Sequence, residues 1–140
     1  MKKLLSIAAI SALLTTGAMA SEKKGLNVVL TAADAQTQLM AMVLSTMTLK
    51  QKKMVNVTLC SEAGNLAVKG APSPKLKPKD VSPKMLLQGL IKKGANVQVC
   101  PLFLPNAGLD NSVLLEGITV AKPPKVAAQL LNDDFATLSY

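Results

Sequence analysis

Three short apolar segments, separated from one another by enough chain for a helix, constrain the fold of this protein most. Leu26–Thr31, Met54–Cys60 and Asn96–Cys100 are rich in apolar and β-branched residues and have the length of strands. The first is apolar almost throughout, which is typical of a strand buried on both faces of a parallel sheet. More than twenty residues separate each segment from the next, as a helical crossover between parallel strands requires.

Helices and two further strands complete the alternation. Ser82 and Pro83 indicate a helix start, because a capping hydroxyl precedes a proline in the first turn. The other predicted helices run from Asp34 to about Gln51, over Ser112–Leu115 and over Pro124–Leu131, and the other predicted strands are Gly117–Val120 and Phe135–Tyr140. This alternation predicts an α/β domain with one mostly parallel, five-stranded sheet between two helical layers.

The first twenty residues have the pattern of a bacterial signal peptide. Met1–Lys3 is basic, Leu4–Leu14 is apolar, and Ala18–Ala20 resembles a cleavage site. The apolar stretch is too short to span a bilayer core of about 30 Å. We therefore predict a mature chain of one domain, Ser21–Tyr140, that is exported to the periplasm.

The charge of the chain is positive but does not indicate a nucleic-acid partner. All sixteen basic residues are lysine, and without Lys2 and Lys3 the net charge is +6. The chain has no arginine for bidentate base contacts and only three aromatic residues for stacking. No second apolar segment resembles a membrane-spanning helix, so we expect no membrane partner. We interpret the charge as a source of solubility and as an attraction for small anions.

The composition also excludes several kinds of active site. The chain has no histidine, the usual general base and the commonest metal ligand, so triad hydrolases and zinc sites are not expected. It has no glycine-rich phosphate-binding motif and no Cys-X-X-Cys motif. Met40, Met42 and Met47 are better explained by core packing than by copper binding. We expect no cofactor and no bound metal.

Cys60 and Cys100 are the only cysteines, and each closes a predicted strand. Chemistry in open α/β sheets gathers at the carboxyl ends of strands, so Cys100, which leads into the turn Pro101–Leu109, is the first candidate for a reactive thiol. Two cysteines in an exported protein also commonly form a disulfide, which requires Cα atoms within about 7 Å. A soft-metal site made by both thiols is a third hypothesis, for which the sequence offers no further ligands.

Two other segments carry expectations about contacts. The predicted helix is apolar nearly all round from Leu39 to Leu49, whereas a helix that covers one face of a sheet should have a polar stripe. We therefore expect its outer side to contact another subunit. Ala71–Pro83 contains four prolines and three lysines, which predicts an exposed, mobile loop. If this loop lies near the thiols, its lysines would favour a thiolate.

Several stretches resemble the DsrE/DsrF-like sulfur-relay family, which includes YchN-like proteins and the small Tus-type sulfur carriers. They are the strand Asn27–Thr31, the helix end Leu86–Gly94 with Val97–Cys100, the turn Asn106–Gly108, the segment Leu115–Ile118 and the closing strand Asp134–Tyr140. The resemblance covers about Leu26–Tyr140 and is carried by the order and spacing of these stretches. It departs from the family where Ala107, rather than a basic residue, precedes Gly108.

The resemblance implies a three-layer α/β/α domain that assembles into homo-oligomers, as trimers or hexamers. In the sulfur-transferring members, one cysteine after a central strand accepts a sulfane sulfur as a persulfide, and Cys100 has that position. The implied function is that of an exported sulfur carrier, at most a sulfurtransferase, with sulfur donors and acceptors as partners and Cys60 as a resolving or disulfide partner. The alternative is a non-enzymatic oligomeric binding module with a structural or redox-switchable Cys60–Cys100 disulfide.

Overall fold

A computed structural model describes residues 22–140, so the predicted signal peptide at 1–20 lies outside the described residues. Five strands form one sheet in which every pair of neighbours is parallel, in the order β4-β3-β2-β1-β5. The strands are β1, Gly25–Leu30; β2, Met54–Leu59; β3, Asn96–Val99; β4, Ile118–Val120; and β5, Phe135–Ser139. The predicted α/β fold with a five-stranded parallel sheet is confirmed.

The helices begin and end close to the predicted positions. They are α1, Ala35–Lys50; α2, Pro83–Lys92; α3, Phe103–Asn106; and α4, Pro123–Leu130, with 3₁₀ helices at Ser61–Ala67 and Asn111–Val113. Asp34 caps α1 by accepting a 2.7 Å hydrogen bond from Thr37 N, and Ser82 caps α2 by accepting a 3.2 Å bond from Met85 N. These bonds satisfy amide groups that a helix start leaves without partners.

One face of the sheet carries the apolar core. Consecutive strands β1 to β4 follow one another in one direction across the sheet, so right-handed crossovers place α1 and α2 on the same face. Leu26, Val28 and Leu30 alternate along β1 and are buried in this core together with Met42 of α1 and Leu87 of α2. The chain then returns to β5 at the other edge, which places α4 on the opposite face.

The opposite face is polar and is covered less completely, because α4 has no buried residue. Asn27 Nδ2 donates a 2.7 Å hydrogen bond to the carbonyl oxygen of Gln129 in α4. Gln98 Nε2 donates to Thr58 Oγ1 at 3.0 Å and to Gln129 Oε1 at 3.1 Å. Among the described residues, no buried side-chain polar atom lacks a hydrogen-bond partner, so this face meets the general requirement for buried polar groups.

No helix within residues 22–140 is long and apolar enough to cross a membrane.

Two glycines provide a matched test of this packing. An added Cβ at Gly25 would overlap the carbonyl oxygen of Met54 and lie 2.6 Å from a ring carbon of Phe135, whereas one at Gly89, inside α2, would meet nothing within 4 Å. We expect Gly25→Ala to lower the free energy of unfolding by about 1–3 kcal/mol and Gly89→Ala to raise it by about 1 kcal/mol. Urea denaturation measures both, and equal effects would contradict the strand packing described here.

Candidate functional site

The two cysteines follow neighbouring strands at the same edge of the sheet. Leu59, the last residue of β2, pairs with Val99, the last residue of β3, so Cys60 and Cys100 occupy the next position of the same register. The backbone N–H of Cys60 donates to Leu30 O and that of Cys100 donates to Leu59 O, both at 2.8 Å. These hydrogen bonds hold both residues at the carboxyl edge, where α/β folds place their chemistry.

The two thiols lie against each other. Adjacent strands are about 4.8 Å apart, and Cys60 continues the extended backbone of β2, so its side chain lies beside that of Cys100. Both thiols are free and half-buried. The strand spacing falls within the Cα separation of about 4.4–6.8 Å found in disulfides, so a small adjustment of the thiols suffices to bridge them.

The environment of Cys60 favours its protonated form. Burial raises the pKa of the Cys60 thiol to about 11, and the hydrogen bond to Cys100 and the negative charge of the Cys100 thiolate act in the same direction. Cys60 is therefore the thiol that keeps its proton near neutral pH.

Tight turns after each cysteine build the walls of the site. Ser61 has a left-handed backbone, with φ of 49°, which turns the chain away from the sheet directly after Cys60 and into the 3₁₀ helix. The turn after Cys100 leads into α3, whose first residue, Phe103, packs so closely on Gly64 that an added Cβ there would overlap the aromatic ring. Close packing between these two turns fixes the space in front of the thiols.

That space is an open cleft of about 520 Å³, within the usual range of small-molecule sites. Cys100 lines it, together with Ser61, Glu62, Asn65, Leu102, Phe103, Asn106 and Ala107. A second cleft of about 370 Å³, beside the start of α1, shares Glu62 and Asn65 with the first. The two clefts together form an elongated surface at the carboxyl edge, with Glu62 between them.

The lysines expected near the thiols do not line either cleft. Pro72 and Pro74, at the start of the Ala71–Pro83 loop, do line the second cleft. Lys84, just after the loop, instead directs its Nζ to the carbonyl oxygens of Val68 and Ala71, at 2.7 and 2.6 Å. The charged residue that lines the clefts is therefore the acidic Glu62, although the chain as a whole is positive.

The site does not form a typical metal centre. Within residues 22–140 no group of three or more cysteine, histidine or acidic side chains lies close enough together to hold a metal ion. Cys60 and Cys100 are the only soft ligands that meet at this edge, fewer than the four of a structural zinc site. What the arrangement supplies is a pair of thiols, one accessible from a cleft and one held protonated beside it.

Sequence reasoning identified the two cysteines but missed their surroundings. Glu62, Asn65 and Phe103 line the cleft, and none of them belongs to a motif. Glu62 could have been found by its place, because residues that directly follow a strand end at the carboxyl edge are positioned to line a site there. Asn65 and Phe103 carry no comparable signal, since their position depends on how two short turns pack.

Comparisons with known proteins support the fold. Neither a protein-family model nor a curated protein sequence matches this chain. The crystal structure of the ychN protein from E. coli is similar, with a TM-score of 0.68 and 16% sequence identity over 84% of this chain and 99% of that one. A protein of unknown function from Methanobacterium thermoautotrophicum has a TM-score of 0.61 and 15% identity over 85% of this chain and 100% of that one. The chain has the YchN-like fold.

The pKa of Cys60 gives a direct test of the site. We expect absorbance of the reduced protein near 240 nm, which reports thiolates, to show a step near pH 11 that Cys60→Ser removes. In Cys100→Ser the step should move to lower pH because the partner thiol is gone, yet stay above the ordinary value of 9.0 because burial remains. A Cys60 step at pH 9 in the wild-type protein would contradict both the burial of Cys60 and its contact with Cys100.

Proposed function

We propose that this protein is a thiol-based sulfur carrier in which Cys100 accepts and passes on a sulfane sulfur. The observation that carries the proposal is the contact between Cys100, which lines a cleft, and Cys60, whose raised pKa keeps a proton beside it. The YchN-like fold and the sequence resemblance to the sulfur-relay family are consistent with the same function. Fold alone does not determine activity, so the two thiols carry the argument.

The transfer needs little beyond a positioned thiolate. The Cys100 thiolate attacks the outer sulfur of a persulfide donor, the sulfur–sulfur bond of the donor breaks, and the donor leaves as a thiolate. Cys100 then holds the transferred sulfur as a persulfide, and an acceptor thiol takes it by the same reaction in reverse. No external oxidant or reductant is consumed, and no metal or cofactor is required.

Cys60 provides a second reaction once Cys100 carries a persulfide. Its thiolate can attack the sulfur of Cys100 and release hydrosulfide, which leaves a Cys60–Cys100 disulfide that an external dithiol must reduce. This reaction is slow near neutral pH, because the pKa of Cys60 is raised to about 11 and little thiolate is present. The proton held on Cys60 therefore protects a persulfide on Cys100.

A stable disulfide is the second candidate, and the short distance between the thiols favours it. If Cys60 and Cys100 are bridged in the mature protein, the loop they close could contribute about 4 kcal/mol to stability. The protein would then be a binding module without sulfur chemistry. Counting free thiols before and after treatment with a mild reductant separates the two candidates.

Replacement of each cysteine tests the carrier function. Reduced protein is treated with an organic persulfide, and its mass is measured for an added sulfur atom. Cys100→Ser should abolish the addition, whereas Cys60→Ser should retain it and hold the persulfide longer, because no resolving thiol remains. Hydrosulfide release by the wild-type protein should rise as the pH increases towards 11. Undiminished loading of Cys100→Ser would place the acceptor elsewhere.

We also propose that the outer side of α1 is a contact between subunits of a homo-oligomer. Met40, Leu44 and Met47 recur at helical spacing and are 52%, 37% and 40% exposed. Contiguous exposed apolar residues of this kind are typical of interaction surfaces. A second copy of the chain, in a trimer or hexamer, is the partner that the family resemblance implies.

A charge placed on α1 should separate the subunits. We expect Leu44→Glu to lower the molar mass measured by light scattering at micromolar concentration, because a carboxylate in an apolar contact is left unpaired. Leu131, which follows α4 and is 83% exposed, supplies the control Leu131→Glu, which should leave the mass unchanged. A monomeric wild-type protein would contradict the proposed contact.

Export is proposed from the sequence pattern alone. The test is to express the full chain in a bacterium, to isolate the protein from the periplasmic fraction and to determine its N-terminal residue. Mature protein should begin at Ser21, whereas replacing apolar residues of Leu4–Leu14 with charged ones should retain the chain in the cytoplasm.

A further inference from the structure

We propose that Glu62 selects the sulfur compounds that react at Cys100, favouring donors with a positive charge close to the reactive sulfur and disfavouring anionic donors. This inference rests on the sulfur-carrier function and names its substrate class. The favoured compounds are aminoalkyl persulfides, in which an ammonium group stands a few bonds from the sulfur. Inorganic polysulfide and the anions of thiosulfonic acids are disfavoured, because both carry negative charge.

The charge of the cleft supports this class. Glu62 is the only charged side chain among the residues that line the cleft of Cys100, and it is also the only one in the adjoining cleft. The remaining polar groups of the first cleft are the hydroxyl of Ser61 and the amides of Asn65 and Asn106. Such groups accept hydrogen bonds from an ammonium group but cannot neutralise an anion.

Glu62 is free to act on a ligand. None of the three ion pairs of the described chain includes it. The side chain of Asn65 donates to Glu62 Oε2 at 3.4 Å and to the backbone carbonyl oxygen of Glu62 at 3.1 Å. These contacts position the carboxylate without cancelling its charge.

Three lysines within or beside the Ala71–Pro83 loop have other partners. Lys84 is bonded to backbone carbonyl groups, Lys69 Nζ donates to the carbonyl oxygen of Ser112 at 3.0 Å, and Lys77 pairs with Asp80 at 2.9 Å. Lys122 follows β4 beside the end of β3 but does not line the cleft, and lysines farther than the Debye length of about 8 Å at physiological ionic strength are screened. Lysines therefore act on Cys100 from outside the cleft, whereas Glu62 acts from its wall.

Transfer from a cationic donor leaves the charges balanced. The Cys100 thiolate takes the outer sulfur of an aminoethyl persulfide, and 2-aminoethanethiolate leaves with its ammonium group still protonated. An ammonium group near Glu62 is attracted to the carboxylate in the approach and throughout the reaction. A sulfonate at the same position brings like charges together in the cleft.

Charged thiol reagents test the selection without any sulfur transfer. In a Cys60→Ser background, so that Cys100 is the only thiol, rates are measured with trimethylammonioethyl, sulfonatoethyl and methyl methanethiosulfonate. The neutral reagent corrects for changes in thiolate content. We expect Glu62→Gln to lower the ratio of cationic to anionic rates about three- to tenfold, the effect of one unit charge a few ångströms away. Glu116→Gln, which removes an exposed carboxylate from a different cavity, should leave the ratio unchanged.

Matched donors then test the substrate class. Aminoethyl persulfide should load Cys100 faster than sulfonatoethyl persulfide of the same chain length, and Glu62→Gln should remove the difference. A ratio of reagent rates that Glu62→Gln does not change, or changes no more than Glu116→Gln, overturns the inference. If the reagents show the selection but neither donor loads Cys100, the sulfur-carrier function is wrong while the charge selection by Glu62 stands.

Discussion

Hydrogen bonds between polar side chains on the α4 face of the sheet fix the strand register on which the site depends. Asn96 Nδ2 donates to Asn56 Oδ1 at 3.1 Å, and Gln98 Nε2 donates to Thr58 Oγ1 at 3.0 Å. A shift of β3 by one residue would move every side chain to the other face and would leave the buried amide of Gln98 unpaired, at a cost of about 1–3 kcal/mol. Cys60 and Cys100 form the next pair in this register, two residues beyond Thr58 and Gln98.

The sheet therefore positions the thiols through strand pairing, which does not depend on sulfur chemistry. Its parallel arrangement brings both strand ends to one edge, and its register sets Cys60 opposite Cys100. What differs between the cysteines is their surroundings, since burial raises the pKa of Cys60 whereas Cys100 lines the cleft. Two identical side chains thus have different environments, one kept protonated by burial and one open to the cleft.

The sequence predicts the elements of this fold better than their arrangement. Strand composition and the Ser82–Pro83 start are local signals, and strand and helix positions follow from them within a few residues. Neighbouring positions for Cys60 and Cys100 depend on strand order, which local patterns do not set. The sequence also does not predict the side-chain hydrogen bonds between neighbouring strands, because Asn56 and Asn96 look like ordinary polar positions until the strands are aligned. Glu62 lines the cleft only through the turn at Ser61, whose left-handed backbone has no sequence signature.

Overall and local charge act at different distances in this protein. The positive net charge of the chain, +8 over the full sequence, draws anionic molecules from solution, but at contact distance a thiol reacts under the charges within about one Debye length. Among the residues that line the Cys100 cleft, Glu62 carries the one charged group. The lysine-rich exterior therefore acts on the approach of a molecule, whereas the cleft acts on the compound that reaches the thiol. In the proposed selection, a substitution at Glu62 changes the second step and leaves the lysines of the exterior in place.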